Sequence, residues 1–92
     1  MARIHVEQSH SLSLPEAKIR VLSIQQTLGS KYGASSKWTS ETSSEFNGSG
    51  FSGTIRIEDT TVIVELELGL LLRVIKAKIE EGVQDQLRDA LG

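Results

Sequence analysis

The sequence has no cysteine, one proline (Pro15) and only four aromatic residues among 92. Without cysteine there is no disulfide framework, no thiolate nucleophile and no cysteine-ligated zinc, which suits a reducing compartment, so a cytoplasmic location is expected. A basic excess is missing as well. Residues 1–46 carry five Lys/Arg against four Asp/Glu, and residues 47–92 carry five against eight, for a net charge of −2. Nucleic-acid binding needs clustered cations to neutralise phosphates, and no such cluster is present. The opening Met1-Ala2-Arg3-Ile4-His5-Val6-Glu7 alternates and lacks an apolar core, so no signal peptide is expected. The densest apolar run, Leu66 to Ile79, is interrupted by Glu67, Arg73, Lys76 and Lys78. It is too polar for a transmembrane segment.

What is present is a globular composition, 38% hydrophobic, in a chain long enough for one domain over residues 1–92 and too short for two. A chain of this size buries roughly 60–65% of its unfolded surface, which predicts one modest core.

Apolar spacing assigns the elements. Arg3 to Glu7 alternates with period two, a half-buried strand. Ser13-Leu14-Pro15-Glu16 then marks a helix start: the Ser13 hydroxyl can accept from the Glu16 amide, and Pro15 falls where a missing N–H costs nothing. Leu14, Ala17, Val21, Ile24 and Leu28 form its apolar stripe, and the helix should end near Gly29 or, a turn later, at Gly33 as a left-handed cap. The Ser-rich stretch 30–52 reads either as a linker or as two short edge strands, Ser35–Thr39 and Ser44–Asn47. Trp38 and Phe46 favour strands, because both need a core to bury in.

Asn47-Gly48-Ser49-Gly50 is a turn signal. Phe51 to Glu58 and Thr61 to Leu68 form a hairpin, with Phe51, Gly53, Ile55 and Ile57 facing the same way as Val62, Val64, Leu66 and Leu68. After Gly69 the period changes to 3.6, predicting one continuous helix over residues 70–91, about 33 Å long. Its core stripe is Leu71, Leu72, Ile75, Ile79, Val83, Leu87 and Ala90. Gly82 lies within that stripe and predicts a close approach to the sheet or a slight bend, since an interior glycine costs about 1 kcal/mol against alanine. The predicted fold is a two-layer α+β domain of order β-α-β-β-β-β-α, with both helices on one face of an antiparallel sheet.

Candidate chemistry is sparse. The outward sheet face gathers Arg3, His5, Glu7, Arg56, Glu58, Ile63, Glu65 and Glu67. A histidine among carboxylates is either an acid–base pair or a solvated face of cross-strand charge pairs, and exposure favours the second. His10, between Ser9 and Ser11, is either half of a Ser-His pair or a loop histidine fixing the strand-to-helix connection. No acid or oxyanion hole accompanies it, which favours the structural role. Gly48, Gly50 and Gly53 match a dinucleotide-binding spacing, but a strand follows them where that motif requires a helix. No catalytic set, cofactor site or metal site is expected, and the chain reads as a non-enzyme. On the C-terminal helix, Leu70, Val74 and Ala77 fall opposite the core stripe, flanked by Arg73, Lys76 and Lys78. Ile19 and Leu22 likewise lie off the first helix's stripe. These are either scattered exposed aliphatics or a surface for a partner protein, a second copy of the chain or an apolar particle.

Several segments resemble the polyhydroxyalkanoic acid system family, small bacterial proteins associated with polyhydroxyalkanoate loci. They are Ala2-Arg3-Ile4-His5-Val6-Glu7, His10-Ser11-Leu12-Ser13, Gly53-Thr54-Ile55, and Leu66-Glu67-Leu68-Gly69-Leu70-Leu71-Leu72 leading into Ile79-Glu80. The resemblance spans essentially the whole chain. It implies an accessory role in storage-polymer granules, at the granule surface, with a granule protein, or in regulation, and it carries no catalytic residue over. The element order also looks like a reduced helix-grip domain, which implies as an alternative a hydrophobic acyl ligand held between sheet and C-terminal helix. Ligand pockets run from about 300 Å³ upward, more than a core of this size is expected to hold open.

Overall fold

A computed structural model describes residues 2–91, with the side chains of Ala2, Leu28, Lys31, Tyr32, Leu70 and Leu71 outside the described set. The elements are β1 (Ala2–Ser9), α1 (Leu14–Tyr32), β2 (Ser35–Trp38), β3 (Ser43–Gly48), β4 (Phe51–Ile57), β5 (Thr61–Leu68), α2 (Leu70–Arg73) and α3 (Lys76–Leu91). The strands make one antiparallel sheet in the order β1-β5-β4-β3-β2. The Ser-rich stretch is thus paired strand, as its two aromatic residues required.

The period-two pattern sorts the two faces. Ile4, Val6, Phe46, Ile55, Ile57, Val62, Val64, Leu66 and Leu68 are buried and form the core with Ala17, Val21, Ile24, Leu87 and Leu91. On the other face His5, Glu7, Arg56 and Glu58 meet solvent. Ile63 is buried on that outer side, between its register partners Arg56 and Glu7, whose aliphatic stems can cover it.

Local chemistry sets the boundaries. The Ser13 hydroxyl accepts from the Glu16 amide at 3.4 Å, as a helix cap should. Gly33, at φ 69°, ends α1 in the left-handed conformation. Gly50, at φ 84°, turns β3 into β4, and its carbonyl accepts the Gly69 N–H at 2.7 Å. That bond ties the β3–β4 turn to the start of α2. A polar contact that the sequence did not suggest sits inside the core. Gln25 of α1 donates to the Ser44 hydroxyl of β3, which donates to the Lys37 carbonyl of β2 at 3.3 Å. Both side chains are buried. Lys18 of α1 lies 4.6 Å above the Trp38 ring, holding the edge strand β2 from the helix side.

Three expectations need correction. Leu14, assigned to the α1 stripe, is 43% exposed at the helix's first position, and the buried stripe begins at Ala17; Leu28, its last member, lies outside the described side chains. The C-terminal helix is not continuous, because it breaks at Val74–Ile75 between α2 and α3. There the Ile75 N–H bonds the Leu72 carbonyl at 3.1 Å, a tighter three-residue turn, at two consecutive β-branched residues of reduced helix propensity. Ile75, placed on the core stripe, is consequently 44% exposed. Gly82 does not approach the sheet closely: a Cβ on it, within α3, would meet nothing within 4 Å.

Gly53 shows the opposite situation. It pairs with Phe46 across the β3–β4 ladder, and a Cβ there would lie 2.6 Å from the Phe46 ring and 2.4 Å from the Glu65 carbonyl oxygen. The ring fills the space that a side chain on β4 would need. Gly53→Ala should therefore destabilise the domain by about 1–3 kcal/mol, read as a lower urea midpoint with unchanged slope. An unchanged midpoint would contradict this packing.

Candidate functional site

The C-terminal segment is fastened at both ends and stands off the sheet between them. At its start the Gly69–Gly50 hydrogen bond holds α2 beside the β3–β4 turn. At its far end Leu87 and Leu91 are buried, where α3 packs on β1 and α1. The intervening turns pass over β4 and β5 without filling the space below. The result is an apolar groove of about 240 Å³, with Phe46, Ile55, Val64 and Leu66 on the sheet side and Leu72, Ile75, Ile79 and Val83 on the helix side. Filling such a volume to core density is worth at most about 6 kcal/mol, an upper bound because the groove opens to solvent. That is comparable to the whole stability of a small domain.

Ile24, Phe51 and Leu68 extend the apolar lining, and three residues of α3 complete it. Lys78 is its charged side chain and Gln86 adds an amide, while Gly82 brings only backbone. The rest is hydrocarbon, so the groove is suited to hold an aliphatic chain and presents few groups able to make or break bonds. Sequence reasoning placed a ligand between sheet and C-terminal helix only as an alternative, and did not expect a core this small to hold a pocket open there. The recurrence of Ile75, Ile79, Gly82, Val83 and Gln86 on one helix face was nonetheless a signal.

The predicted surface patch is only partly assembled. Val74 is 83% exposed, Arg73 and Ala77 are exposed and Lys76 is half-buried around the helix break. Leu70, the fifth member, lies outside the described side chains. The break also brings Ile75 to the surface, a residue not counted in the patch. Ile19 and Leu22 are exposed on α1, at 60% and 41%.

The two histidines differ. His10 is buried, and its Nε2–H donates to the Glu58 carbonyl at 2.9 Å while Nδ1 accepts the Leu12 N–H at 3.2 Å; the partners dictate this tautomer. Its own amide donates to the Thr60 carbonyl at 2.8 Å. His10 thus ties the β1–α1 connection to the β4–β5 turn, with both ring nitrogens engaged by backbone. His5 is solvent-exposed, 2.9 Å from Glu7 and 3.8 Å from Glu65. The hydrogen bond to Glu7 raises its pKa above the usual 6.5, against a lowering by desolvation, and the charges of Glu7 and Glu65 add to the rise. The raised value means that protonated His5 favours the fold below about pH 6.5, a contribution lost as pH climbs through the folded-state value. Among the described residues, no three His, Asp or Glu side chains come together as a metal site, and no helix is long and apolar enough to cross a membrane. Gly48, Gly50 and Gly53 lie on the β3–β4 hairpin, and the strand β4, not a helix, follows them in the chain.

A family model described as "Putative polyhydroxyalkanoic acid system protein" matches residues 4–91. The crystal structure of TTHA0849 from Thermus thermophilus superposes with a TM-score of 0.67 over 97% of this chain and 94% of that one. The two are 14% identical, so the likeness is one of fold. No curated protein sequence matches the chain.

The role of His10 makes a measurable claim. His10→Ala leaves the Glu58 carbonyl and Leu12 amide without their partner and should lower stability by about 1–3 kcal/mol in urea unfolding. Stability within about 0.3 kcal/mol of wild type, well below that range, would show that the ring does not fasten the two loops.

Proposed function

The chain belongs to the polyhydroxyalkanoic acid system family, and on that premise we propose that it is a non-enzymatic accessory of the storage-polymer system that holds an aliphatic chain in the groove beneath α3. One observation carries this reading, the apolar groove of about 240 Å³ between sheet and helix, below the range of about 300 Å³ upward for drug-sized ligands and suited to a smaller aliphatic one. A polyhydroxyalkanoate is an aliphatic polyester, and its building blocks are hydroxy acids bearing alkyl chains. An apolar slot with one cation among its lining residues suits chemistry of that kind.

A second reading is favoured by a separate observation. Val74 at 83% and Ile75 at 44% exposure form a small apolar knuckle next to Arg73, Lys76 and Lys78. Apolar side chains rimmed by cations suit adsorption to a hydrophobic particle with an anionic rim. On this reading the chain sits on the polymer granule, on a granule protein or against a second copy of itself, in the cytoplasm.

A competition assay tests the first reading. An apolar fluorescent dye bound by the purified protein should be displaced by octanoate, with a dissociation constant in the micromolar-to-millimolar range expected for about ten heavy atoms. Failure of octanoate to displace the dye, or of the dye to bind, overturns it. Cell fractionation tests the second: the wild-type chain should sediment with polymer granules and Val74→Glu should stay in the supernatant. Equal partitioning of the two contradicts the knuckle as the contact.

A further inference from the structure

Resting on the groove reading, we infer that its occupant is a medium-chain aliphatic monocarboxylic acid, with the alkyl chain in the space that Gly82 keeps open and the carboxylate at Lys78. The volume sets the length. At about 30 Å³ per water-sized group, close to the share of a methylene, 240 Å³ holds about eight such groups. A four-carbon chain underfills it, and a sixteen-carbon chain overruns it.

Gly82 is the unusual feature. It lies in the interior of α3, where glycine is unfavourable, and its φ is not in the left-handed region. Nothing stands within 4 Å of the position a Cβ would take, so close packing does not require it either. It does belong to the helix face that lines the groove, with Ile79 and Val83 beside it. A long side chain there would extend into the groove, so the absence of one preserves volume.

Lys78 supplies the polar end. It is solvent-exposed, lines the groove, and makes no ion pair among the described residues. No carboxylate lines the groove to repel an anion. The broad depression on the outer sheet face, about 400 Å³, is different: Arg3 stands there among Glu45, Glu65 and Glu67. An anionic ligand would meet net negative charge on that side.

Octanoate, uncharged 1-octanol and hexadecanoate serve as probes for wild type and three variants, by calorimetry with thermal unfolding as the control. Gly82→Ala should weaken octanoate about fourfold, the value of one displaced methylene, and Gly82→Leu by more than about tenfold, with unfolding midpoints not lowered. Lys78→Met, which keeps the stem, should weaken octanoate about two- to fivefold and leave octanol unchanged. Hexadecanoate should gain nothing over octanoate. Undiminished octanoate binding by Gly82→Ala and by any folded Gly82→Leu overturns the role of Gly82. Equal effects of Lys78→Met on octanoate and octanol overturn the role of the charge, and tighter binding of hexadecanoate overturns the length limit. These failures differ from failure of the groove reading, in which wild type binds neither octanoate nor octanol.

Discussion

Antiparallel pairing of β1 with β5, from Ala2 opposite Leu68 to Ser9 opposite Thr61, places the first segment of the chain beside its last strand. The inner face is arranged around that seam. It makes β5 an interior strand and adds Ile4 and Val6 to the wall on which α3 closes. Because α3 leaves β5 and packs on β1 and α1, it covers the seam side of the sheet most tightly. Leu87 and Leu91 are buried there, while Ile79 and Val83, nearer the start of the helix, are only partly buried. The groove follows from that geometry: the segment is held at the Gly50 turn where α2 begins and at the seam where α3 ends, and between them Leu72, Ile79 and Val83 are only partly buried over β4 and β5.

The side chains beneath the helix reinforce this. Phe46 turns its ring over Gly53, so part of its bulk repairs the sheet and does not rise toward α3. The other residues on the floor, Ile55, Val64 and Leu66, are of moderate size. Phe51, the second aromatic residue of the lining, is only partly buried and leaves the gap open. Core-like packing is worth about 24 cal/mol per Å³ of void removed. A sequence selected for stability alone would be expected to place larger residues at Gly82 and Val83. The missing side chain at Gly82 leaves that space to an occupant.

Much of the architecture was legible because local pattern and tertiary need coincide in it. Alternation in Phe51–Glu58 and Thr61–Leu68 gave the central hairpin, and Ser13 with Glu16 marked the start of α1. Trp38 and Phe46 distinguished strands from linker in a Ser-rich stretch that composition alone left open. What escaped depends on which residues meet in space. The Gln25–Ser44 pair spans nineteen positions, and neither residue announces a buried partner. His10 finds the Glu58 carbonyl across the β4–β5 turn, a contact that no spacing rule contains. The break at Val74–Ile75 defeats a period-3.6 reading, because two β-branched residues weaken a helix without forbidding it. The expected close approach of Gly82 failed for a related reason: glycine marks an absent side chain, and whether backbone or empty volume occupies that place is a tertiary matter.

The central claim is that an aliphatic chain lies between α3 and β4–β5. The most direct measurement is the set of intermolecular nuclear Overhauser effects from the alkyl protons of bound octanoate to the protein's methyl groups. The account predicts cross-peaks to Ile55, Leu66, Leu72, Ile79 and Val83, which line the groove from both sides, and none to Ile63 on the outer face. Cross-peaks confined to the exposed methyls of Ile19, Leu22 or Val74 would contradict it.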